Sequence, residues 1–533
     1  MRSLGFAAGP VDPHGLDGVR ATDRERLVSN PSVAFLVFHV AQVRNFIHDD
    51  LLPSASALLR RESIRSDILE STLKPLGATL DDDLETIDTL AAHIRGEYQT
   101  VVYSRLWSED VFRALRDRLP GIVWVYLGDS RVAFEGTDYF INADRIAALP
   151  EIARAAAEGR RVDLNELSLQ PIDFSRARPD ADLVRLRIGS ERSPDRPSIV
   201  HGSPGCAFAA DIRDNPQFAN VPFPDDGSVV LRGCSFCATG GVPRRAASEV
   251  LASVLEQLDH ILETESEVSR IQINDQNPFP YLLQFVKRAS ERKKRPLEIL
   301  IETRADWFLA NVAVFERALG AAERAGHRIL LFLVGIENFS PRVLERLNKG
   351  VDAEVNIRTV EECRRLREAF PRSYSDTRAA FGFILYDPWT ELDDLVINAE
   401  VCERIRFREF RGQLGRAKLR LYPDTALFYK AKTEGLLADR FPYESMDSAR
   451  RYGYEAEVPW RFLRRETHAV YGIHDQVAKL LGEHEEMKML LAIVRFVERN
   501  PGALDYPVEE VARDVVTGMA RWIDREVRHS TPT

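Results

Sequence analysis

Two of the five cysteines in this 533-residue chain lie three positions apart in a glycine-flanked segment, LRGCSFCATGG, at residues 231–241. Thiolates at this spacing can bind a metal, form a redox disulfide, or remain ordinary buried thiols. Two thiolates do not complete a metal site, so a further ligand is needed. Cys206, which also follows a glycine, supplies a third thiolate and gives the arrangement Cys-x27-Cys-x2-Cys.

The spacing alone leaves three interpretations of these cysteines open. Three thiolates with one open corner suit a [4Fe–4S] cluster whose fourth iron is free to bind a cofactor. A structural zinc ion would take the same three cysteines with His201 as its fourth ligand. Alternatively, Cys206 is an ordinary buried thiol. The remaining cysteines, Cys363 and Cys402, fall on the apolar faces of predicted helices, which favours a core position for both.

Composition restricts the class of protein. The length predicts two to four domains, and the 44% hydrophobic content is sufficient for buried cores. The formal charge of −10 at pH 7 is not typical of nucleic-acid binding. Five cysteines without regular spacing argue against a disulfide framework and predict a reducing, cytoplasmic location. No signal-peptide pattern is seen, and no apolar run reaches the roughly 18–20 residues of a membrane span, so we expect no membrane association.

The order of apolar runs and amphipathic segments predicts an α/β protein. After a polar tail at 1–31, the runs VAFLVFHV, QTVVYSRLW, GIVWVYLGD and TDYFIN alternate with helices and predict a doubly wound, Rossmann-like domain at 32–160. Prolines indicate a linker at 161–197. Residues 198–439 repeat strand and helix five or six times, which predicts a full or partial β/α (TIM-like) barrel. Residues 440–533 lose the strand signal and predict an α-helical domain.

Polar residues end several of the apolar runs in the predicted barrel. The strand candidates there are SRIQIND, LEILIETR, ILLFLVGIE, RAAFGFILYD and GRAKLRLYP. Barrels of this type carry their functional side chains at the C-terminal ends of the strands. We therefore predict functional roles for the polar residues that end the first three runs, with helix caps or ion pairs at the barrel rim as the alternative: Asp275, Glu302, Arg304 and Glu337.

Four segments resemble motifs of the radical S-adenosylmethionine (SAM) superfamily. They are GCSFC at 233–237, VGIENFSPRVLERLNKG at 334–350, DPWTELDDL at 387–395 and YPDTALFYKAKTEGLL at 422–437. Their order, and the doubly wound unit before the barrel, is similar to the branch with an N-terminal cobalamin-binding-type domain. The cluster loop of that branch reads Cys-x3-Cys-x2-Cys, whereas Val230 stands where its first cysteine belongs. We interpret residues 207–233 as an insertion that separates Cys206 from the other two cysteines.

The resemblance implies a [4Fe–4S] cluster held by Cys206, Cys234 and Cys237. The cluster's fourth iron would bind SAM, which is cleaved to a 5′-deoxyadenosyl radical that removes hydrogen from a substrate. Phe236 would lie near the adenine, with a plain core position as the alternative. Gly240 and Gly241 would let the backbone approach the methionine amino group, with a simple turn as the alternative.

The resemblance also implies roles for the strand-end residues. Arg304 is expected to pair with the SAM carboxylate through a forked, charge-assisted hydrogen bond. Glu302 is expected at the cofactor, and Glu337 at the border of the SAM or substrate site; with Asp275, Glu337 is predicted to be catalytic. The inserted segment DNPQF, residues 214–218, is expected to lie over the cluster and gate access to it, or to be an inert surface loop.

The implied function is C–H activation of a small metabolite or peptide, with an electron donor such as flavodoxin or ferredoxin. Cobalamin-dependent methyl transfer competes with a cobalamin-free rearrangement, oxidation or ring-forming step. The Asp-x-His-x-x-Gly motif is absent around His39 and His48, so bound cobalamin is expected to lack a protein histidine on cobalt. The alternatives are a zinc-stabilised, non-catalytic binding protein and a tRNA-modifying radical SAM enzyme; the acidic charge argues against the latter.

Overall fold

The computed structural model places two parallel β-sheets one after the other along the chain, each with helices packed against it. The predicted tail as far as residue 30, and His48, lie outside the described residues. The structure describes residues 31–40, 51–73, 80–104, 109–127, 134–141, 143–164, 167, 184–188, 197–203, 205–225, 229–237, 239–241, 246–264, 268–292, 295–376, 380–412, 414–447, 457–481, 486–508 and 510–518.

The first sheet has six parallel strands in the order β5-β4-β3-β1-β2-β6. Its strands are β1 Ser32–Val40, β2 Arg65–Leu73, β3 Thr100–Tyr103, β4 Val123–Leu127, β5 Tyr139–Ile141 and β6 Val184–Ile188. Its helices are α1 Leu51–Arg61, α2 Leu84–Ile94, α3 Glu109–Arg118 and α4 Leu149–Ala157. Apolar residues of α2 and α3 form one core with the sheet, and those of α1 and α4 form another. Helices therefore cover both faces, which confirms the doubly wound prediction.

Two strands of this sheet were not among the predicted runs. β2 pairs with β1 over nine residues, but Asp67 and Glu70 interrupt its apolar pattern. β6 lies inside the predicted linker and pairs with β2. A strand at the edge of a sheet needs only a short, partly polar segment, so β6 gave too weak a periodic signal to be recognised.

The second sheet is also parallel, in the order β11-β10-β9-β8-β7, with β12 pairing with β10 as well. Its strands are β7 Ser198–His201, β8 Arg270–Asn274, β9 Glu298–Arg304, β10 Arg328–Glu337, β11 Tyr374–Ser375 and β12 Gly382–Phe383. The helices that follow these strands are α5 Ala247–Thr264, α6 Phe279–Arg292, α7 Ala305–Ala310, α8 Val312–Ala325, α9 Pro341–Arg346, α10 Ala353–Ala369, α11 Leu392–Arg404, α12 Arg408–Arg411 and α13 Ala426–Thr433. Strand–helix alternation and parallel pairing confirm the TIM-like prediction.

The last two predicted barrel strands, RAAFGFILYD and GRAKLRLYP, are much shorter than expected. The first of them is reduced to β12, and the second contributes an isolated parallel bridge between Tyr386 and Lys418. At the end of β10, Glu337 adopts a positive φ of 66° and the pairing with β12 shifts register. Beside this irregularity, the side chain of Asn338 donates to the carbonyl oxygen of Ile384 at 2.7 Å. The barrel is therefore partial.

The C-terminal region is helical, as predicted, and packs on the barrel. Its helices are α14 Arg465–Leu481 and α15 Glu486–Arg499. The rings of Tyr386 and Tyr471 lie 4.9 Å apart, and Trp460 donates to the carbonyl oxygen of Leu419 at 3.1 Å. The apolar residues of these helices and of the barrel form one continuous core. No helix in the described ranges is both long enough and apolar enough to span a membrane.

Candidate functional site

The inserted residues 207–233 form an excursion that closes on itself at its base. The amide of Cys206 donates to the carbonyl oxygen of Thr239 at 2.7 Å, two positions beyond Cys237. Cys206 therefore lies beside the Cys234–Cys237 loop despite the 27 residues between Cys206 and Cys234. Three further backbone hydrogen bonds join the two ends of the excursion, from Ile212 to Leu231 (2.9 Å), from Gly233 to Ala210 (2.9 Å) and from Gly241 to Phe208 (2.8 Å).

Glycines make this closure sterically possible. A Cβ on Gly240 would lie 2.1 Å from the carbonyl oxygen of Arg232, and one on Gly241 would lie 2.6 Å from the Arg232 Cβ. Gly233 and Gly241 also have positive φ values of 100° and 73°. The structure thus gives these glycines a packing role, and the contact of Gly240 and Gly241 with the SAM amino group stays a prediction.

The C-terminal end of α9 holds the cysteine loop in place. The backbone amide of Ser235 donates to the carbonyl oxygen of Leu347 at 3.0 Å, and its hydroxyl donates to that of Arg346 at 2.7 Å. The side chain of Asn348 donates to the carbonyl oxygen of Gly233 at 2.7 Å. The last carbonyl groups of a helix have no partner within it, so the loop satisfies them. The NKG motif therefore anchors the loop that carries Cys234 and Cys237.

Arg304, at the end of β9, is almost entirely buried, with 3% exposure, and contacts this loop. Its Nη1 lies 3.4 Å from the Sγ of Cys234, and its Nη2 donates to the carbonyl oxygen of Lys349 at 2.7 Å. Its Nε donates to Asp306 at 3.0 Å, and its guanidinium carbon lies 4.0 Å from the ring centroid of Phe208. All three guanidinium nitrogens thus have a protein partner, and the fork to the SAM carboxylate stays a prediction.

Burial and nearby cations act in opposite directions on the cysteines. Burial raises the pKa of the Cys206 and Cys234 thiols, and the positive charges of Arg304 and Lys349 oppose that rise for both. A metal-bound thiol is deprotonated, and two buried cations stabilise the negative charge that results. All three loop cysteines are free thiols. The donor set therefore fits a thiolate-bound cluster.

The zinc alternative, which adds His201 to the three cysteines, stays a prediction. Within the described part of the chain, no three His, Cys, Asp or Glu side chains lie close enough together to hold a single metal ion, although His201 and all three loop cysteines are included. In an iron–sulfur cluster each thiolate binds a different iron, so its ligands are spread more widely. His201 is instead on β7, where burial lowers its pKa to about 4.

Glu337 and Lys349 form a buried ion pair in the same site. The Lys349 Nζ lies 3.2 Å from the Glu337 Oε1 and 5.9 Å from the ring centroid of Phe236. Two glycines make room for this pair: a Cβ on Gly335 would lie 2.6 Å from the Lys349 Nζ, and one on Gly382 would lie 2.8 Å from each Glu337 carboxylate oxygen. The structure thus brings Glu337, through Lys349, close to Phe236 in the cysteine loop. Sequence reasoning missed Lys349, although it belongs to the NKG segment that carried the resemblance.

Asp275 has its carboxylate occupied by neighbouring protein groups. Its Oδ2 accepts hydrogen bonds from the amide of Ser203 at 3.0 Å and the hydroxyl of Tyr281 at 2.8 Å. Its Oδ1 accepts from the amide of Asn277 at 2.8 Å, and the residue is 3% exposed. These contacts fix the turn after β8 against the end of β7. The predicted catalytic role of Asp275 stays a prediction.

Glu302 lies on β9 and is one of the residues predicted to contact the cofactor. Burial, and secondly the negative charge of Asp275, raise the pKa of Glu302 to about 7. Its Oε1 accepts a hydrogen bond from the side chain of Gln276 at 2.7 Å. A carboxyl group with this pKa can hold or release a proton near neutral pH.

The segment DNPQF is packed against two helices. The side chain of Asn215 donates to the carbonyl oxygen of Glu345 at 2.7 Å, and Phe218 is 2% exposed. The ammonium of Lys430 on α13 donates to the carbonyl oxygen of Gln217 at 3.0 Å. These contacts anchor the segment, and both gating by it and the inert-loop alternative stay predictions.

The segment DPWTELDDL also supports the site. Asp387 and Arg346 form a buried ion pair at 2.8 Å, with 0% and 3% side-chain exposure. Ser340, just before α9, donates to Asp394 at 2.6 Å. These bonds tie the loop after β12 to α9, the helix that anchors the cysteine loop. Sequence reasoning assigned no role to Arg346 or Asp387.

The fold is similar to that of two solved radical SAM enzymes. The apo structure of the cobalamin-dependent SAM radical enzyme OxsB matches with a TM-score of 0.56 and 13% identity, over 95% of this chain and 81% of that chain. The aqua-cobalamin-bound form of OxsB gives 0.55 and 14% over the same shares. The radical SAM methyltransferase TsrM from Kitasatospora setae, with tryptophan substrate and a SAM analogue, gives 0.50 and 13% over 93% and 100%. No family model and no curated protein matches the sequence.

Proposed function

We propose that this chain is a radical SAM enzyme whose [4Fe–4S] cluster is held by Cys206, Cys234 and Cys237. The single observation that carries the proposal is the closed base of the insertion, where the Cys206 amide bonds to Thr239. This bond places the backbone of Cys206 beside the loop that carries Cys234 and Cys237. The fold shared with OxsB and TsrM supports the same assignment.

The residues around the loop have definable tasks in such an enzyme. When bound, the cluster supplies the electron that cleaves the sulfonium bond of SAM. Arg304 and Lys349 place positive charge beside the thiolates, and their burial excludes water from them. Glu337 borders the same space, with its carboxylate oriented by Lys349. Glu302, with a pKa of about 7, is suited to hold a proton at the neighbouring strand end.

The proposed cofactors are SAM at the barrel and cobalamin at the first sheet. Strands 1 to 5 of that sheet follow the order 2-1-3-4-5, in which ligands bind where β1 and β3 diverge at their carboxyl ends. Ser71 near the end of β2 and Ser104 after β3 are buried, and neither hydroxyl has a hydrogen-bond partner among the described residues. Such hydroxyls fit a polar ligand at this edge. The loops at 41–50 and 105–108 lie outside the described residues.

The proposed substrate is a small molecule or a peptide. The reaction is methyl transfer through cobalamin, or a cobalamin-free rearrangement, oxidation or ring-forming step. OxsB was solved with aqua-cobalamin and TsrM with tryptophan, which supports cofactor and substrate classes of this kind. We propose that the electron comes from a flavodoxin or ferredoxin and that the enzyme acts in the cytoplasm.

Anaerobic reconstitution with iron and sulfide tests the proposal. The wild-type protein should hold about four irons and absorb broadly near about 400 nm, as thiolate-bound clusters do. Cys206→Ala, Cys234→Ala and Cys237→Ala should each lose the cluster and the reductive cleavage of SAM. Cys363→Ala and Cys402→Ala are the matched controls, because both thiols are buried in the core away from the loop. Full cluster content in Cys206→Ala would refute the split ligand set.

A further inference from the structure

The excursion at 207–233 contains Phe208, whose ring packs against the buried guanidinium group of Arg304. The Phe208 ring centroid lies 4.0 Å from the guanidinium carbon of Arg304, and the Trp307 centroid lies 5.4 Å from it. A Cβ on Gly350 would lie 2.6 Å from the Phe208 Cζ, so only glycine lets this ring approach. An aromatic face attracts a guanidinium group, most strongly where both are shielded from water. Phe208 therefore packs directly against the guanidinium group of Arg304.

The same guanidinium group points at a proposed cluster ligand. Its Nη1 lies 3.4 Å from the Cys234 Sγ, while Asp306 and the Lys349 carbonyl oxygen hold the other nitrogens. Arg304 is 3% exposed, so its charge is poorly screened by solvent. Hydrogen bonds to ligand sulfurs and nearby positive charge favour the more negative, reduced form of an iron–sulfur cluster.

We propose that Arg304 tunes the cluster by raising its reduction potential through the hydrogen bond to Cys234, and that Phe208 is the positioning residue that keeps Arg304 there. This inference rests on the proposed function, because it concerns the cluster assigned above. On this inference, the function of the insertion is to place Phe208 next to the cysteine loop. The inference also assigns Arg304 to the cluster and not to the SAM carboxylate.

The decisive experiment is a redox titration of reconstituted protein monitored by electron paramagnetic resonance. Arg304→Gln should keep its iron content but become harder to reduce. At a fixed potential we expect the ratio of reduced to oxidised cluster to fall about tenfold, which is about 59 mV for a one-electron couple. SAM affinity, measured by equilibrium dialysis, should change little in this variant.

Phe208→Ala tests the positioning role and should lower the potential in the same direction. Phe223→Ala is its matched control, because Phe223 lies in the same excursion but contacts the rings of Phe218 and Tyr429, with centroids 6.2 Å apart in each case. Arg288→Gln is the control for removing a positive charge, since Arg288 pairs with Asp259 on neighbouring helices. Both controls should keep the wild-type potential.

The outcomes separate this inference from the proposed function. Wild-type protein that binds no iron and sulfide would contradict the proposed function itself. A wild-type cluster with unchanged potential in both Arg304→Gln and Phe208→Ala would overturn the inference alone. Weaker SAM binding in Arg304→Gln at an unchanged potential would assign Arg304 to the SAM carboxylate and also overturn it. If Arg304→Gln loses iron, two other variants are titrated in its place. They are Arg304→Lys, which keeps the positive charge, and Phe208→Ala, and their reduction potentials then test the inference.

Discussion

The ammonium of Lys349 lies 3.2 Å from the carboxylate of Glu337, and both side chains are buried beneath the cysteine loop. Lys349→Met should leave a buried carboxylate unpaired and lower the free energy of unfolding by about 3–5 kcal/mol. The double variant Lys349→Met/Glu337→Gln should recover most of that loss. Urea unfolding measures both effects.

The control for this pair is an exposed one. Arg113 and Glu109 form an exposed ion pair on α3, so Arg113→Ala should cost less than about 1 kcal/mol. Equal stability of wild type and Lys349→Met would contradict a stabilising role for this ion pair.

A methyl group at Gly382 should disturb the same carboxylate. Its Cβ would lie 2.8 Å from both Glu337 oxygens, one of which, Oε1, accepts a hydrogen bond from Lys349. We expect Gly382→Ala to lower the free energy of unfolding by about 1–3 kcal/mol through steric crowding. Gly320→Ala on α8 is the matched control; its Cβ meets only an arginine side chain at 3.7 Å, so it should be neutral or stabilising by up to about 1 kcal/mol. A Gly382→Ala variant as stable as wild type would contradict the crowded geometry.

Acid should destabilise the protein through buried histidines. Burial, followed by the charge of Arg416, lowers the pKa of His474 from 6.5 to about 4. Below pH 6.5 the unfolded chain therefore takes up a proton that the folded chain excludes until about pH 4. The contribution is fully present above pH 6.5 and is lost as the pH falls to about 4, by at most about 1.4 kcal/mol per pH unit.

His201, whose pKa is also lowered to about 4, should act in the same direction. Urea unfolding at pH 7, 6 and 5 measures the slope. His474→Gln should reduce that slope over this interval and leave it unchanged between pH 7 and 8. An identical slope in wild type and variant would remove His474 from the explanation.

Cobalamin should bind without a histidine ligand on cobalt. Reconstitution with hydroxocobalamin followed by desalting should leave a near-stoichiometric amount on the wild-type protein. His39→Ala and His48→Ala should not change its spectrum, because neither residue stands in a cobalt-binding motif. Near-complete loss on desalting would instead favour a cobalamin-free reaction, with the first sheet serving as a scaffold.

Sequence periodicity predicted the elements whose apolar pattern is regular. The runs that became β9 and β10 are longer and mostly apolar, and the run that became β8 alternates polar with apolar residues. Both patterns are typical of strands, so each run was recognised from its own sequence. β2 was missed because Asp67 and Glu70 break its pattern, although nine residues pair with β1. A strand between two others gains most of its stability from neighbours that a local pattern does not contain.

The site residues, like the strands, were predicted only in part. The strand-end rule found Arg304 and Glu337 because a barrel positions its polar groups there. Arg346 and Lys349 were missed because their charges are explained by partners 41 and 12 residues away. Long-range pairs of this kind depend on how helices return to the barrel, which local sequence does not encode.

The bonds that close the excursion at 207–233 join backbone atoms, which every residue type except proline can provide. The chain between these bonds can therefore change in length and composition while Cys206 keeps its neighbour. As long as the glycines at the base remain, the linear spacing of the cysteines can differ without moving Cys206 away from Thr239.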